Sequence, residues 1–289
     1  MTDSLLRLRR EGAARLQAAG IENPRAECDW LLCRALGCTQ TELLLSAKAD
    51  SRAQSRFTEL IDRRAAGEPV QYLLGEWEFC GLPFFVGEGV LIPRPETEIL
   101  AEYAVTLLKG QAQPVAVDLC AGTGCIGLTI ACRVPSAHVY LVEKSPAAFA
   151  YLERNRNRPG MVNTTLLQGD ILTDALPEIP QCDVLCVNPP YIPADEMPTL
   201  QREVLREPAM ALDGGADGLD FYRAIAKRWA PRVKPGGVIL PELGDGQYDA
   251  VRRIFADIGC AVSAIPDNAG HLRVLVAKNH IKGESRICF

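Results

Sequence analysis

The sequence predicts an α/β protein: a doubly wound, mostly parallel sheet, preceded by a small helical bundle and a β-hairpin linker. Three observations predict it. From Pro95 onward, short apolar strand-like runs alternate with helical stretches, the rhythm of βαβ units. The first 67 residues show helical apolar spacing broken only by glycines, with no strand pattern. Between them, residues 68–95 set Gly75, Gly81, Pro83, Gly87, Gly89 and Pro93 around short apolar pieces such as Trp77–Phe79 and Leu82–Val86. That punctuation suits a hairpin. The domain boundaries expected are 1–72 (helical), 73–95 (linker) and 96–289 (α/β).

In the helical region, Ser4 is placed to cap a helix through Leu5, Leu8 and Leu16 that stops at Gly20. Asn23 before Pro24 reads as an N-cap with proline at the first helical position, and that helix runs to Gly37. Thr39 or Thr41 opens a short helix to Leu45, and Ser51 opens one with Phe57, Leu60 and Ile61 on a single face. Downstream, strands are expected at Val115–Leu119, Val139–Val142, Thr165–Leu167, Val184–Val187, Val238–Pro241 and Leu272–Ala277. The helices between them are Cys125–Cys132, Pro146–Asn157, Leu219–Val233 and Gln247–Ile258. Ligands of such sheets bind beyond the carboxyl ends of the strands.

Composition narrows the function. The chain has 289 residues, 48% of them hydrophobic and 23% charged, which excludes a disordered, collagenous or coiled-coil protein and allows a large core. Its net charge is −5, and the first 75 residues are near neutral with eleven Lys/Arg against ten Asp/Glu. That argues against a protein held to nucleic acid mainly through phosphates. Eleven scattered cysteines, no CxxC and three histidines far apart in sequence (His138, His271, His280) give no metal-ligand spacing. The cysteines mostly sit in apolar runs and read as small buried hydrophobes of a reducing compartment. The arginine-rich N-terminus holds no apolar stretch of signal or anchor length, so a cytoplasmic protein without membrane attachment is expected. The residues from Ile281 on read as a frayed tail.

The first chemical motif is Asp118-Leu119-Cys120-Ala121-Gly122-Thr123-Gly124, which with Gly127 completes a G-x-G-x-x-G between a strand and a helix. Taken alone it admits a dinucleotide-binding oxidoreductase. Asp118 at the strand end weighs against a pyrophosphate and suits a ligand carrying an ammonium group. The acid-x-x-x-Gly-x-Gly pattern resembles the first motif of class I S-adenosylmethionine-dependent methyltransferases. Glu143, nineteen residues after Gly124, can accept from two ribose hydroxyls; its alternative is a surface acid paired with Lys144. Asp170 can accept from an adenine amine while Ile171 packs on the ring, or else it caps a helix.

The second motif is Asn188-Pro189-Pro190-Tyr191 at the end of a strand. Two prolines stop a strand and leave carbonyls without N–H donors. With the Asn188 side chain as a further acceptor and Tyr191 as an aromatic wall, the loop suits a planar group bearing –NH2. Gripping both N–H bonds with the Asn188 side-chain oxygen and the Pro189 carbonyl aims the nitrogen at an electrophile, and orientation with fixed dipoles then does the catalysis. The motif does not separate adenine-N6 methylation of DNA or RNA from methylation of a glutamine amide.

Further motifs do. Gly67-Glu68-Pro69-Val70-Gln71-Tyr72-Leu73-Leu74-Gly75, Leu91-Ile92-Pro93-Arg94-Pro95-Glu96-Thr97-Glu98, Glu207-Pro208 with Ala211-Leu212, Gly214-Gly215-Ala216-Asp217-Gly218-Leu219 and Asp267-Asn268-Ala269-Gly270 resemble the HemK-type protein-(glutamine-N5) methyltransferases of peptide chain release factors. The resemblance spans essentially the whole chain. It implies a seven-stranded methyltransferase sheet, S-adenosylmethionine as methyl donor with S-adenosylhomocysteine as product, and release factors as protein partners; a monomer without metal is expected. It also implies that Cys120, Ala121, Gly122, Thr123, Gly124 and Glu143 hold the donor with Asp118, that Asp170 or Ile171 meets its adenine, that Asn188 touches both donor and substrate, and that Asn188–Tyr191 grip the glutamine. Arg94 and Thr97 fall near the donor, and the helical domain is expected to dock the release factor. Cys120-Ala121 departs from the usual Gly-Thr or Gly-Ser, and a positive φ at residue 120 would strain a cysteine.

Overall fold

The computed structural model describes residues 3–45, 50–161 and 163–279. The predicted tail from Ile281 on lies outside them. The chain divides into two compact units. One runs through Trp77 and includes residues 86–88 and 201–206; the other comprises residues 78–85, 89–200 and everything from Glu207 on.

The first unit is helical: α1 (Asp3–Ala18), α2 (Pro24–Leu36), α3 (Gln40–Leu45), α4 (Ser51–Ala65) and α5 (Val70–Leu74). Leu5, Leu16, Leu31, Leu32, Phe57 and Ile61 close its core. Its helix ends differ in detail from the expected caps. The first helix already includes residue 3, so Ser4 is not outside it. Pro24 does open α2, but the Asn23 side chain makes no capping bond. Thr39 is the cap of α3: its hydroxyl accepts from the Glu42 N–H at 3.2 Å while Glu42 accepts from the Thr39 N–H at 2.8 Å, a reciprocal box. Asp50 rather than Ser51 caps α4, accepting from the Ala53 N–H at 2.7 Å; a carboxylate satisfies that orphan donor and the helix dipole together.

The hairpin β1 (Glu76–Phe79) and β2 (Leu82–Phe85) turns through Cys80 and Gly81, both with positive φ, the two-residue turn that matches strand twist. The second unit then follows the alternating rhythm. It contains α6 (Thr97–Leu108), β3 (Val115–Leu119), α7 (Cys125–Arg133), β4 (His138–Glu143), α8 (Pro146–Arg156), β5 (Thr164–Gln168) and β6 (Cys182–Val187). After a long loop come α9 (Asp220–Ala224), β7 (Val233–Pro241), α10 (Tyr248–Asp257), β8 (Ala261–Pro266) and β9 (Leu272–Lys278). Seven strands form one sheet in the order β5-β4-β3-β6-β7-β9-β8, parallel except for β9, which runs antiparallel to both β7 and β8.

Alternation along the central strands supplies both faces: Ala116, Leu141, Val184 and Cys186 pack on one side, and Val117, Val142, Leu185 and Val187 on the other. Two elements depart from the sequence reading. The stretch expected as one helix over Leu219–Val233 is a short α9, then a π-turn at Ile225–Trp229 and a 3₁₀ turn at Ala230–Arg232, because Pro231 cannot supply the N–H a continuing helix needs. Strand β8 carried no expected assignment. It is an edge strand with alternately exposed and half-buried residues, so its sequence has no continuous apolar run.

Candidate active site at the switch point

The sheet reverses its winding between β3 and β6, which lie side by side with Leu119 level with Val187. The residues following both strands therefore emerge together at the carboxyl edge, where open α/β sheets hold ligands. After β3 comes the glycine loop; after β6 comes Asn188. A cleft opens there, lined by residues of both loops.

The loop is bent by positive φ at Cys120 (57°), Gly122 (56°) and Gly124 (81°). The cysteine thus occupies the left-handed conformation that the sequence flagged as strained. Its fold is locked from outside: the Ala121 N–H donates to the Val142 carbonyl at 2.9 Å, and the Gly122 N–H donates to Glu143 Oε2 at 2.8 Å. Glu143 Oε1 also accepts from the Ser145 N–H at 2.7 Å. Burial pushes the Glu143 carboxyl above its ordinary range, while these backbone donors pull it back.

Cys120, Ala121, Gly122, Thr123, Glu143, Asp170, Ile171, Asn188 and Pro190 line the cleft. Gly124, Pro189 and Tyr191 stand outside that lining, and so does Asp118. Asp118 is a correction to the reading of an acid facing the ligand. It lies on the helix-packed face of β3, is 0% exposed, and accepts from the Gly127 N–H at 2.8 Å. A Cβ at Gly127 would fall 2.6 Å from Leu141 and 2.9 Å from Asp118 Oδ2. The third glycine therefore brings α7 against the sheet, and Asp118 ties the turn to it. Lys144 bonds Asp170 at 2.9 Å rather than Glu143, which leaves Glu143 directed at the loop.

Three further walls complete the cleft, and of their residues the sequence reading placed only Arg94 near the donor. Gly89–Arg94 forms one side, Pro208, Met210 and Ala211 another, and Phe221 a third. Glu207 stitches the first two together, accepting from the Ile92 N–H at 2.9 Å and from Arg94 at 2.5 Å. The paired family motifs around Arg94 and Glu207 are the only sequence signal for it. Asn188 donates through Nδ2 to Thr97 Oγ1 at 3.2 Å.

The Asn-Pro-Pro-Tyr loop is also held through its own backbone. Gln247 Nε2 donates to the Tyr191 carbonyl at 2.8 Å, and Ile192 exchanges backbone bonds with Leu212 (2.9 Å) and Gly214 (2.8 Å). Gly214 and Gly218 lie so close that a Cβ would meet the Tyr191 Cα at 2.8 Å and the Tyr191 carbonyl oxygen at 2.3 Å, respectively. That close approach explains the Gly214–Gly218 motif. The Asp267–Gly270 motif lies elsewhere, in the β8–β9 turn, where Asp267 accepts from the Ala269 and His271 N–H groups, each at 2.9 Å.

Two buried carboxyls give this unit a pH signature. Desolvation pushes Asp118 and Glu242 each up to about 7. In the unfolded chain they titrate near about 4, so the folded state binds more protons between about pH 4 and 7. Their contribution to stability is therefore present at low pH and lost as pH rises through 7. The melting temperature of the ligand-free protein should fall between pH 5 and 8 more steeply than that of Asp118→Asn/Glu242→Gln. Parallel curves would contradict this assignment.

Among the described residues, no three His, Cys, Asp or Glu side chains gather as a metal-binding group, and no helix is long and apolar enough to cross a membrane. The ten described cysteines are free thiols.

Comparison with known proteins agrees with this geometry. Residues 7–75 match the family model "PrmC N-terminal domain" and residues 97–217 match "Methyltransferase small domain". A release factor glutamine methyltransferase of Moorella thermoacetica is 40% identical over 92% of this chain and 95% of its own. One from Geobacter sulfurreducens is 39% identical over 90% and 91%. A methyltransferase crystal structure from Pyrococcus furiosus, 19% identical, shares the fold with a TM-score of 0.54 over 70% of this chain and 91% of its own.

Proposed function

The chain belongs to the release factor glutamine methyltransferase family, and on that premise we propose that it methylates the side-chain amide nitrogen of the glutamine in the Gly-Gly-Gln motif of peptide chain release factors, with S-adenosylmethionine as donor. The observation that carries this reading is the adjacency of the two loops: the acceptor-rich Asn188 turn opens onto the same cleft as the glycine loop and Glu143.

The cleft suits the donor's chemistry. Each Glu143 oxygen already accepts one backbone N–H and keeps a lone pair for a ribose hydroxyl. Asp170 and Ile171 offer an acceptor and an apolar surface to the adenine, and the bent backbone of Cys120–Thr123 meets the amino-acid end. When bound, S-adenosylmethionine supplies a methyl carbon made electrophilic by its sulfonium.

The protein's part is positioning. The Asn188 side-chain oxygen and the Pro189 carbonyl accept the two N–H bonds of the glutamine amide, which fixes the plane of the amide and turns the nitrogen lone-pair lobe toward the methyl group. No strong base is required, since the amide nitrogen becomes acidic once methylated. Pro189 and Pro190 keep competing donors out of the turn, and Tyr191 backs it. The helical unit docks the release factor, and the chain works as a cytoplasmic monomer.

Methyl-labelled S-adenosylmethionine offered with a release factor, its Gln→Ala variant, duplex DNA and ribosomal RNA tests the reading. Label is expected on the first alone. Label on either nucleic acid, or undiminished label on the Gln→Ala protein, would overturn it.

A further inference from the structure

Behind Asn188 runs a buried line of polar side chains. Asn188 Nδ2 donates to Thr97 Oγ1 at 3.2 Å, and the Thr97 hydroxyl in turn faces the Glu242 carboxylate and favours its charged form. Thr97 and Glu242 are each 1% exposed. Glu242 sits just past the end of β7, the strand beside β6, so the sheet brings it behind the Asn188 turn. Its Oε2 atom has no hydrogen-bond partner among the described residues, so packing alone does not account for a carboxylate there.

The proton inventory of this line admits one order. A carboxylate only accepts, so the single Thr97 hydroxyl proton points to Glu242. The Thr97 oxygen is then an acceptor toward Asn188, which must present Nδ2 to it. The Asn188 side-chain oxygen is thereby left for the cleft.

We propose that Glu242 is a positioning residue for methyl transfer, acting through Thr97 to decide which end of the Asn188 amide meets the substrate. This rests on the reading of Asn188 as one grip on the glutamine amide. A proton on Glu242 reverses the line. The carboxylic acid donates to Thr97, the threonine hydroxyl turns to Asn188, and Asn188 offers its oxygen inward. The cleft then faces an N–H group that opposes the substrate's own N–H bonds. Besides Thr97, the charged and titratable groups facing Glu242 are Glu96, Arg94, Arg273, Cys125, Tyr191 and Tyr222. Burial outweighs the two arginines and sets its titration near 7. Turnover should accordingly decline as pH falls below about 7.

Thr97→Val keeps the shape and removes the hydroxyl. It should lower kcat about 10- to 100-fold, the scale of a misplaced reacting group, with little change in KM for S-adenosylmethionine; Thr97→Ser should recover most of the loss. Glu242→Gln should abolish the acid limb of kcat. In ¹⁵N-labelled protein, the Asn188 side-chain amide peaks, identified by their loss in Asn188→Asp, should move between pH 6 and 8 in the wild type and stay fixed in Glu242→Gln. Wild-type kcat in Thr97→Val, or Asn188 peaks indifferent to Thr97→Val, would overturn the proposal. Should the wild type transfer no methyl to a release factor, the functional reading fails separately, and the amide peaks still decide the orientation.

Discussion

Asn188→Ala should bind S-adenosylhomocysteine nearly as well as the wild type while turnover on a release factor falls at least ~100-fold, the cost of losing one preorganised polar group at the reacting centre. The other residues expected to hold the donor, Cys120–Thr123, Glu143, Asp170 and Ile171, line the same cleft, and alanine at 188 leaves them in place. The substrate amide loses one of only two acceptors. Titration calorimetry with the product nucleoside and single-turnover methyl transfer separate the two quantities. Turnover retained in the variant would place the glutamine elsewhere in the cleft.

Gly218→Ala should cost nearly as much although residue 218 touches neither reactant. An alanine there pays about 1–2 kcal/mol for the left-handed backbone, and its Cβ would also lie 2.3 Å from the Tyr191 carbonyl oxygen. That oxygen belongs to backbone, which yields only if the Asn188–Tyr191 turn moves. A displacement near 1 Å at the reacting groups is worth about 100-fold in rate. Gly236→Ala provides the control. Its φ is +82° with nothing within 4 Å of the added carbon, so it pays the backbone strain alone. Both variants should melt lower than the wild type, whereas only Gly218→Ala should lose turnover. Equal turnover in the two would detach the glycine motif from the acceptor loop.

Much of this was legible in the sequence because the determinants are local. Pro24, Asp118–Gly127 and Asn188–Tyr191 each announce a turn or a strand end within a few residues, and the central strands are buried on both faces and so read as mostly apolar runs. The misreadings occurred where a partner distant in sequence decides. Asp118 looked like a ligand group until α7 arrived with the Gly127 N–H. Strand β8 was silent because its pairing with β9, rather than its own composition, makes it a strand. The caps are local: Thr39 is one of the two starts expected for α3, while Asp50 caps α4 in place of the neighbouring Ser51, a choice that spacing alone leaves open. Glu242 had no motif of its own; only the strand order puts it behind Asn188.

Glu207 reaches back 115 residues to Ile92 and 113 to Arg94. Contacts of such long sequence separation close late, since the loop entropy must be met before they form. On the ribosome, strands β3 to β6 can pair while the chain is still emerging, yet the donor cleft lacks a wall until Glu207 has left the exit tunnel. Nascent chains stalled before that point would carry a paired sheet core with an unfinished cleft, which closes only once Glu207 and the walls that follow it, Pro208, Met210, Ala211 and Phe221, have emerged.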